Sequence, residues 1–204
     1  MWESIVQELS QYGLYQWIIL LTGIAYAILS MLNKPVCWLF GIVSCALIAY
    51  KDFTEYNLYF DGVLQIIYVL MGISGLIHWM RSTKDDRGLP SVMSLPFISH
   101  FNAIVLGVLS SLVLVIIVQM FLNPAFATLD SLTTVFGIWA TWLLVNRVYD
   151  TWYYWIVING LYIYIYDGRG AVLVAVLSFV YLLTSIGGLI SWRPHLKTAQ
   201  TATS

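Results

Sequence analysis

The stretch Trp152-Tyr153-Tyr154-Trp155-Ile156-Val157-Ile158-Asn159 lies inside a charge-free run from Thr151 to Tyr166. Wound as a helix, it stacks Trp152, Trp155, Asn159, Tyr162 and Tyr166 on one face, because steps of three and four residues superpose side chains. That stripe puts two indoles, two phenols and a carboxamide at membrane depth. Hydrocarbon offers an amide no partner, so the stripe is expected to face protein or a small-molecule pocket. The competing reading is an aromatic packing stripe whose Asn159 bonds to a neighbouring helix.

The surrounding chain supplies the membrane. Of its 204 residues 60% are hydrophobic and 9% charged, with a mean hydropathy of +0.83. Soluble domains carry roughly a quarter charged residues, so this is an integral membrane protein. The net charge of −1 says nothing of nucleic acid, but no basic run resembles a polyanion-binding patch, and no nucleic-acid partner is expected. The start, Met1 to Gln11, is acidic (Glu3, Glu8), unlike a cleavable signal peptide, and Leu14–Leu32 is expected to remain as a spanning helix. Cys37 and Cys45 fall eight residues apart on one expected helix. That is roughly 12 Å at the helical rise, too far for a disulfide, and no metal pattern surrounds them.

Hydropathy divides the chain into seven spans, Leu14–Leu32, Pro35–Tyr50, Leu58–Met80, Ser99–Leu122, Leu129–Asn146, Thr151–Tyr166 and Gly170–Trp192. The second and sixth are short for a crossing of roughly twenty residues. Residues 1–13 form an N-terminal segment, 81–98 a polar connector and 193–204 a polar tail. With the N-terminus outside, one side receives Lys34, Arg81, Lys84, Arg87, Arg147, Arg193 and Lys197, the other only Lys51 and Arg169. The positive side should be cytoplasmic.

An internal repeat organises these spans. At an offset of 114 residues Gly23-Ile24 falls on Gly137-Ile138, Trp38 on Trp152 and Tyr50 on Tyr164. At 113, Tyr68 falls on Tyr181 and the run Ile73 to Trp79 on Ile186 to Trp192. The fold expected is all-α, two parallel three-helix repeats (14–80 and 129–192) joined by a linker helix (99–122), a 3+1+3 order. Parallel repeats of this kind occur in transporters that bind substrate between the units.

The third span carries a second stripe, Asp61, Gln65, Tyr68, Gly72, Gly75 and Trp79, matched by Val174, Ser178, Tyr181, Ser185, Gly188 and Trp192. Gln65 is either glue between helices or a ligand contact. Tyr68 and Tyr181 could close on an aromatic ring. Asp61 is either a helix-start carboxylate favoured by the dipole or an attractor of cations, and Asp130 looks mainly like a cap. No span holds a carboxylate or histidine ladder, and no nucleotide-binding, metal-hydrolase or nucleophile motif occurs. An enzyme needs positioned acid and base groups, so a facilitator without cofactors fits better. A non-transporting structural protein is the alternative of another class. Electron-rich rings attract organic cations and amides suit ring nitrogens and hydroxyls. A cationic heteroaromatic vitamin matches that pocket.

At this point the residues resemble a known family. Trp152-x-x-Trp155-x-x-x-Asn159, Asp130-Ser131, Gln65, and the endings Gly75-x-x-x-Trp79 and Gly188-x-x-x-Trp192 are similar to those of the PnuC vitamin transporters, over Gly23 to Trp192. The resemblance implies a SWEET-like homotrimer of the bacterial inner membrane with one pathway per protomer. It further implies facilitated diffusion of an unphosphorylated vitamin that a cytoplasmic kinase then traps. By resemblance Trp152, Trp155, Asn159 and Gln65 are ligand contacts; Tyr68 and Asp61 join them from the reading above. One departure matters: nicotinamide riboside members usually carry an asparagine where this chain has Gly72. The thiamine-transporting PnuT branch tends to have a small residue there and an acidic one near Asp61. Thiamine is therefore the first expectation and nicotinamide riboside the second.

Overall fold

Long apolar runs, free of proline inside and bounded by polar turns, wind into eight α-helices in the computed structural model, which describes residues 2–81, 91–121 and 126–196. These are α1 (Trp2–Ser10), α2 (Leu14–Met31), α3 (Cys37–Lys51), α4 (Tyr59–Arg81), α5 (Phe97–Phe121), α6 (Ala127–Val145), α7 (Thr151–Gly168) and α8 (Val172–Trp192). A π-helical turn, Asp52–Tyr56, extends α3, and Arg193–His195 closes α8 as a 3-10 turn. The N-terminal segment, unassigned from sequence, is a helix packed on α8. Most of the expected connector and tail (82–90 and 197–204) lies outside the described residues.

Among the described residues six helical stretches are long and apolar enough to cross a membrane: α2, α3 with its extension to Tyr56, α4, α5, α6, and α8 with its 3-10 turn. The second span, expected to be short, reaches 20 residues because the π turn continues it. Of the seven expected spans, the one that does not qualify is α7. It has 18 residues, but its tyrosines, tryptophans and asparagine dilute its apolarity. The seven-span expectation is thus supported at six positions, and the exception is the helix whose aromatic stripe turns inward. Leu70, Leu106, Ile116, Val157 and Ile190 lie exposed on the outside, a face suited to lipid.

Helix neighbours close a ring. Among the described residues α2 packs on α3, α3 on α4, α4 on α6, α6 on α7, α7 on α8, and α8 back on α2, while α5 lies outside the ring, packed mainly on α6 and reaching α4 through Phe60–Phe121 and α7 through His100–Tyr154. The sequence offsets recur as paired contacts. Gly75 has no room for a Cβ because the indole of Trp38 lies on it, and Gly188 is covered in the same way by Trp152. A Cβ on Gly137 would meet the Tyr68 hydroxyl at 2.7 Å, and one on Gly23 the Tyr181 hydroxyl at 2.7 Å. Four of the five left-handed backbone positions among the described residues pair: Asn33 (φ 56) with Arg147 (φ 53), and Asn57 (φ 55) with Gly170 (φ 71), leaving Phe126 (φ 65) without a mate.

One end of the ring is sealed by tryptophans. Trp38 meets Trp79 edge-on at 5.4 Å and 86°, Trp152 meets Trp192 edge-on at 5.2 Å and 86°, and Trp79 and Trp192 touch at 5.8 Å. The Trp79 indole donates to the carbonyls of Leu144 (3.2 Å) and Val145 (3.0 Å), and Trp192 donates to the Ser30 carbonyl (3.1 Å). Those carbonyls belong to the last turns of α6 and α2, where the helical ladder ends, and those of Leu144 and Ser30 also accept from the Arg147 and Asn33 amides of the following turns. Each repeat therefore caps the first helix of the other.

Gly188→Ala should push Trp152 off its seat and destabilise the protein by about 1–3 kcal/mol, as overpacking does. Gly160→Ala, with open space around it, should be neutral or stabilising by up to about 1 kcal/mol. Thermal unfolding in detergent compares the two.

Candidate functional site

Inside the ring, above the tryptophan floor, lies a cavity of about 330 Å³, within the roughly 300–1,000 Å³ of small-molecule sites. All five residues of the opening stripe line it: Trp152, Trp155, Asn159, Tyr162 and Tyr166. From α4 come Gln65, Tyr68 and Gly72, and from α8 their repeat mates Ser178, Tyr181 and Ser185. Of the six expected site residues, five meet here. Asp61 does not line the cavity.

The two readings of Asn159 are both met. Its Nδ2 donates to the Ser185 hydroxyl at 3.2 Å, and that hydroxyl donates in turn to the Tyr181 carbonyl at 2.7 Å. The amide is thus tied to a neighbouring helix while it faces the cavity. Trp152 is mostly packing: it is 3% exposed, held between Gly188 and Trp192. Trp155 is half-buried and presents more of its ring.

The two repeats line the cavity with different chemistry. Position 159 carries an amide where its repeat mate is Cys45, and position 155 an indole where its mate is Gly41. On Gly41 lies the ring of Tyr26, which would sit 2.8 Å from a Cβ there, and the mate of Tyr26 is Ala140. Aromatic volume thus comes from the second helix in one repeat and from the first in the other. Tyr26, Ser30 and Ser44 also line the cavity. Sequence reasoning missed them, since no repeat mate or helical stripe marks them. Trp38, a lining residue, was marked by its offset from Trp152.

At the opposite end from the tryptophans, Asp130 pairs with Arg169, whose guanidinium lies 5.7 Å from the Phe126 ring and 5.8 Å from that of Tyr166. Asp130 is therefore an ion-pair partner. The cap expected of it is absent, because α6 begins earlier, after Phe126. Asp61, exposed, lies close enough to feel both charges. Beneath the floor, Arg147 is 3% exposed, with its guanidinium 4.5 Å over the Trp79 ring and Nη2 donating to the Trp79 carbonyl at 3.3 Å. Burial pulls its pKa down to about 10, so it still carries charge at neutral pH.

Gly72 is not an empty place for a lost amide. A Cβ there would meet Ile42 Cγ1 at 2.8 Å, so α4 closes on α3 at this point and an asparagine would have to displace Ile42.

Comparisons with known proteins now bear on this geometry. The profile of the family described as nicotinamide mononucleotide transporter matches residues 13–194. Among solved structures the chain is similar to the crystal structure of the vitamin B3 transporter PnuC, with a TM-score of 0.73 at 25% identity, over 94% of this chain and 86% of that one. No curated protein matches. The thiamine-transporting branch finds no support in either match, and both residues that pointed to it have structural explanations: Gly72 packs on Ile42 and Asp61 lies off the cavity.

Cys45 lines the cavity, whereas Cys37 is fully buried outside it. A small methanethiosulfonate should modify Cys45 faster than Cys37 by about tenfold or more, read by peptide mass spectrometry over time.

Proposed function

We propose, from the premise that this chain belongs to the nicotinamide mononucleotide transporter family, a family of membrane transporters and not of enzymes, that its cavity carries nicotinamide riboside. The single observation behind this choice is that, among the described residues, no charged one lines the cavity. A phosphate dianion moved there would lose its hydration with no Lys or Arg to receive it, a large cost. The unphosphorylated riboside has no such group. Its pyridinium suits the faces of Trp155, Tyr162 and Tyr68. Its amide and ribose hydroxyls find Asn159, Gln65 and the serine hydroxyls.

In this reading α7 is the seventh span and the ring is a 3+1+3 bundle in which α5 links two parallel repeats. The contacts paired at offsets of 113 and 114 support it. Transport is facilitated diffusion, since no carboxylate or histidine among the described residues lines the cavity to couple a proton, and phosphorylation by a cytoplasmic kinase retains the product. The protein works as a homotrimer in the bacterial inner membrane with its N-terminus outside. The described cations support that orientation: Lys34, Arg81, Arg147 and Arg193 follow the ends of α2, α4, α6 and α8, against Lys51 and Arg169 at the other ends.

Titrating the purified protein with nicotinamide riboside, thiamine and nicotinamide mononucleotide, followed by tryptophan fluorescence, tests the reading. The riboside should bind tightest and the mononucleotide at least about tenfold weaker, roughly 1.4 kcal/mol. Asn159→Leu should weaken riboside binding by about tenfold or more, the loss of a buried hydrogen-bonding group. Tighter binding of thiamine, or equal binding of the mononucleotide, would count against it.

A further inference from the structure

Below the tryptophan floor, residues Ser91 to Leu95 run as an extended strap across the end of the ring. Val92, fully buried, packs into the cluster that holds Trp38, Trp79, Trp152 and Trp192. Its amide donates to the His195 carbonyl (3.1 Å) and that of Met93 to the Arg147 carbonyl (3.2 Å), while Tyr149 donates to the Met93 carbonyl (2.7 Å). Bridge pairing joins Val92 to Leu196 and Met93 to Val148. The strap is therefore tied to the α6–α7 turn and to the end of α8, but is not part of any helix.

Asp150 fastens its far end. The carboxylate accepts from the Ser94 hydroxyl (3.0 and 2.9 Å) and from the Leu95 amide (2.8 Å). His100 Nε2 stands 3.3 Å from the same carboxylate, and its Nδ1 lies 3.0 Å from the Tyr154 hydroxyl. One tautomer satisfies both contacts, with Nε2–H donating to Asp150 and Nδ1 accepting from Tyr154.

We propose that the strap is the inner gate of the transport pathway, with Val92 its plug and Asp150 its latch. The inference rests on the transport reading above. Substrate leaving the cavity toward this end must pass Trp38, Leu144 and Trp152, then Trp79 and Trp192, and Val92 backs that cluster. The closed state also contains its own reason to open. Among the described residues, Nε and Nη1 of buried Arg147 have no hydrogen-bond partner, nor has either polar side-chain atom of its repeat mate Asn33. Buried unpaired donors are costly, and lifting the strap lets water reach the guanidinium.

The test introduces Val92→Cys with Leu196→Cys in the full chain, in membrane vesicles of each orientation. Alkylation of native Cys45 in the cavity by an impermeant maleimide reads the gate without any substrate, and nicotinamide riboside uptake reads transport. Oxidising the pair should slow Cys45 alkylation from the strap face by about tenfold or more and lower uptake in parallel. Riboside binding should persist, and reduction should restore both rates. Asp150→Asn, which needs no cross-link, should speed Cys45 alkylation from that face by roughly fivefold. Unchanged alkylation from the strap face in both the oxidised pair and Asp150→Asn would overturn the gate. The expected alkylation pattern in a protein that takes up no riboside would support the gate and overturn the substrate instead.

Discussion

The seating of an indole on a glycine, Trp38 on Gly75 and Trp152 on Gly188, is the contact on which the rest of the molecule depends. In lipid, helices gain little from hiding apolar surface, so close packing and buried hydrogen bonds must hold them together. A glycine lets the flat ring come to backbone distance, and the ring then offers its edge to the next tryptophan. That next residue, Trp79 or Trp192, has its N–H directed into the open last turn of a helix from the other repeat. One motif used twice thus packs each repeat, caps the other and closes one end of the cavity.

Above that symmetric floor the symmetry breaks, and there the chemistry begins. A cavity lined alike by both repeats would present the same groups on both sides of a ligand. Here Asn159 corresponds to Cys45, and Trp155 corresponds to a glycine covered by Tyr26. A ligand with an aromatic ring at one end and hydroxyls at the other is itself asymmetric and can be received in one orientation. The Asn159–Ser185–Tyr181 chain holds the amide in place, so that its position is fixed before any ligand arrives.

Charge is kept out of the cavity and collected at its two ends. Asp130, Arg169 and Asp61 gather at one end, and Arg147 lies buried at the other beneath Trp79. The ionic groups can therefore act on entry and exit without touching a bound molecule. Asp61 shows the consequence for reading a sequence. It belongs to the same helical stripe as Gln65 and Tyr68, yet the cavity ends before reaching it.

Sequence alone determined the membrane class, six of the apolar spanning helices, the inward stripe of α7 and the residues matched at offsets of 113 and 114. All of these follow from periodicity and composition along the chain. It also marked Gln65 and Tyr68, because a polar or phenolic group at membrane depth must face something other than lipid. Tertiary structure decided what the stripes face and where they stop. That Tyr26 and Ser44 share the cavity, that Gly72 is filled by Ile42, and that Asp130 reaches Arg169 depend on how far one helix lies from another, which no local pattern encodes. The strap was hidden for the same reason: five residues without a helical period acquire meaning only when folding lays them under the tryptophans.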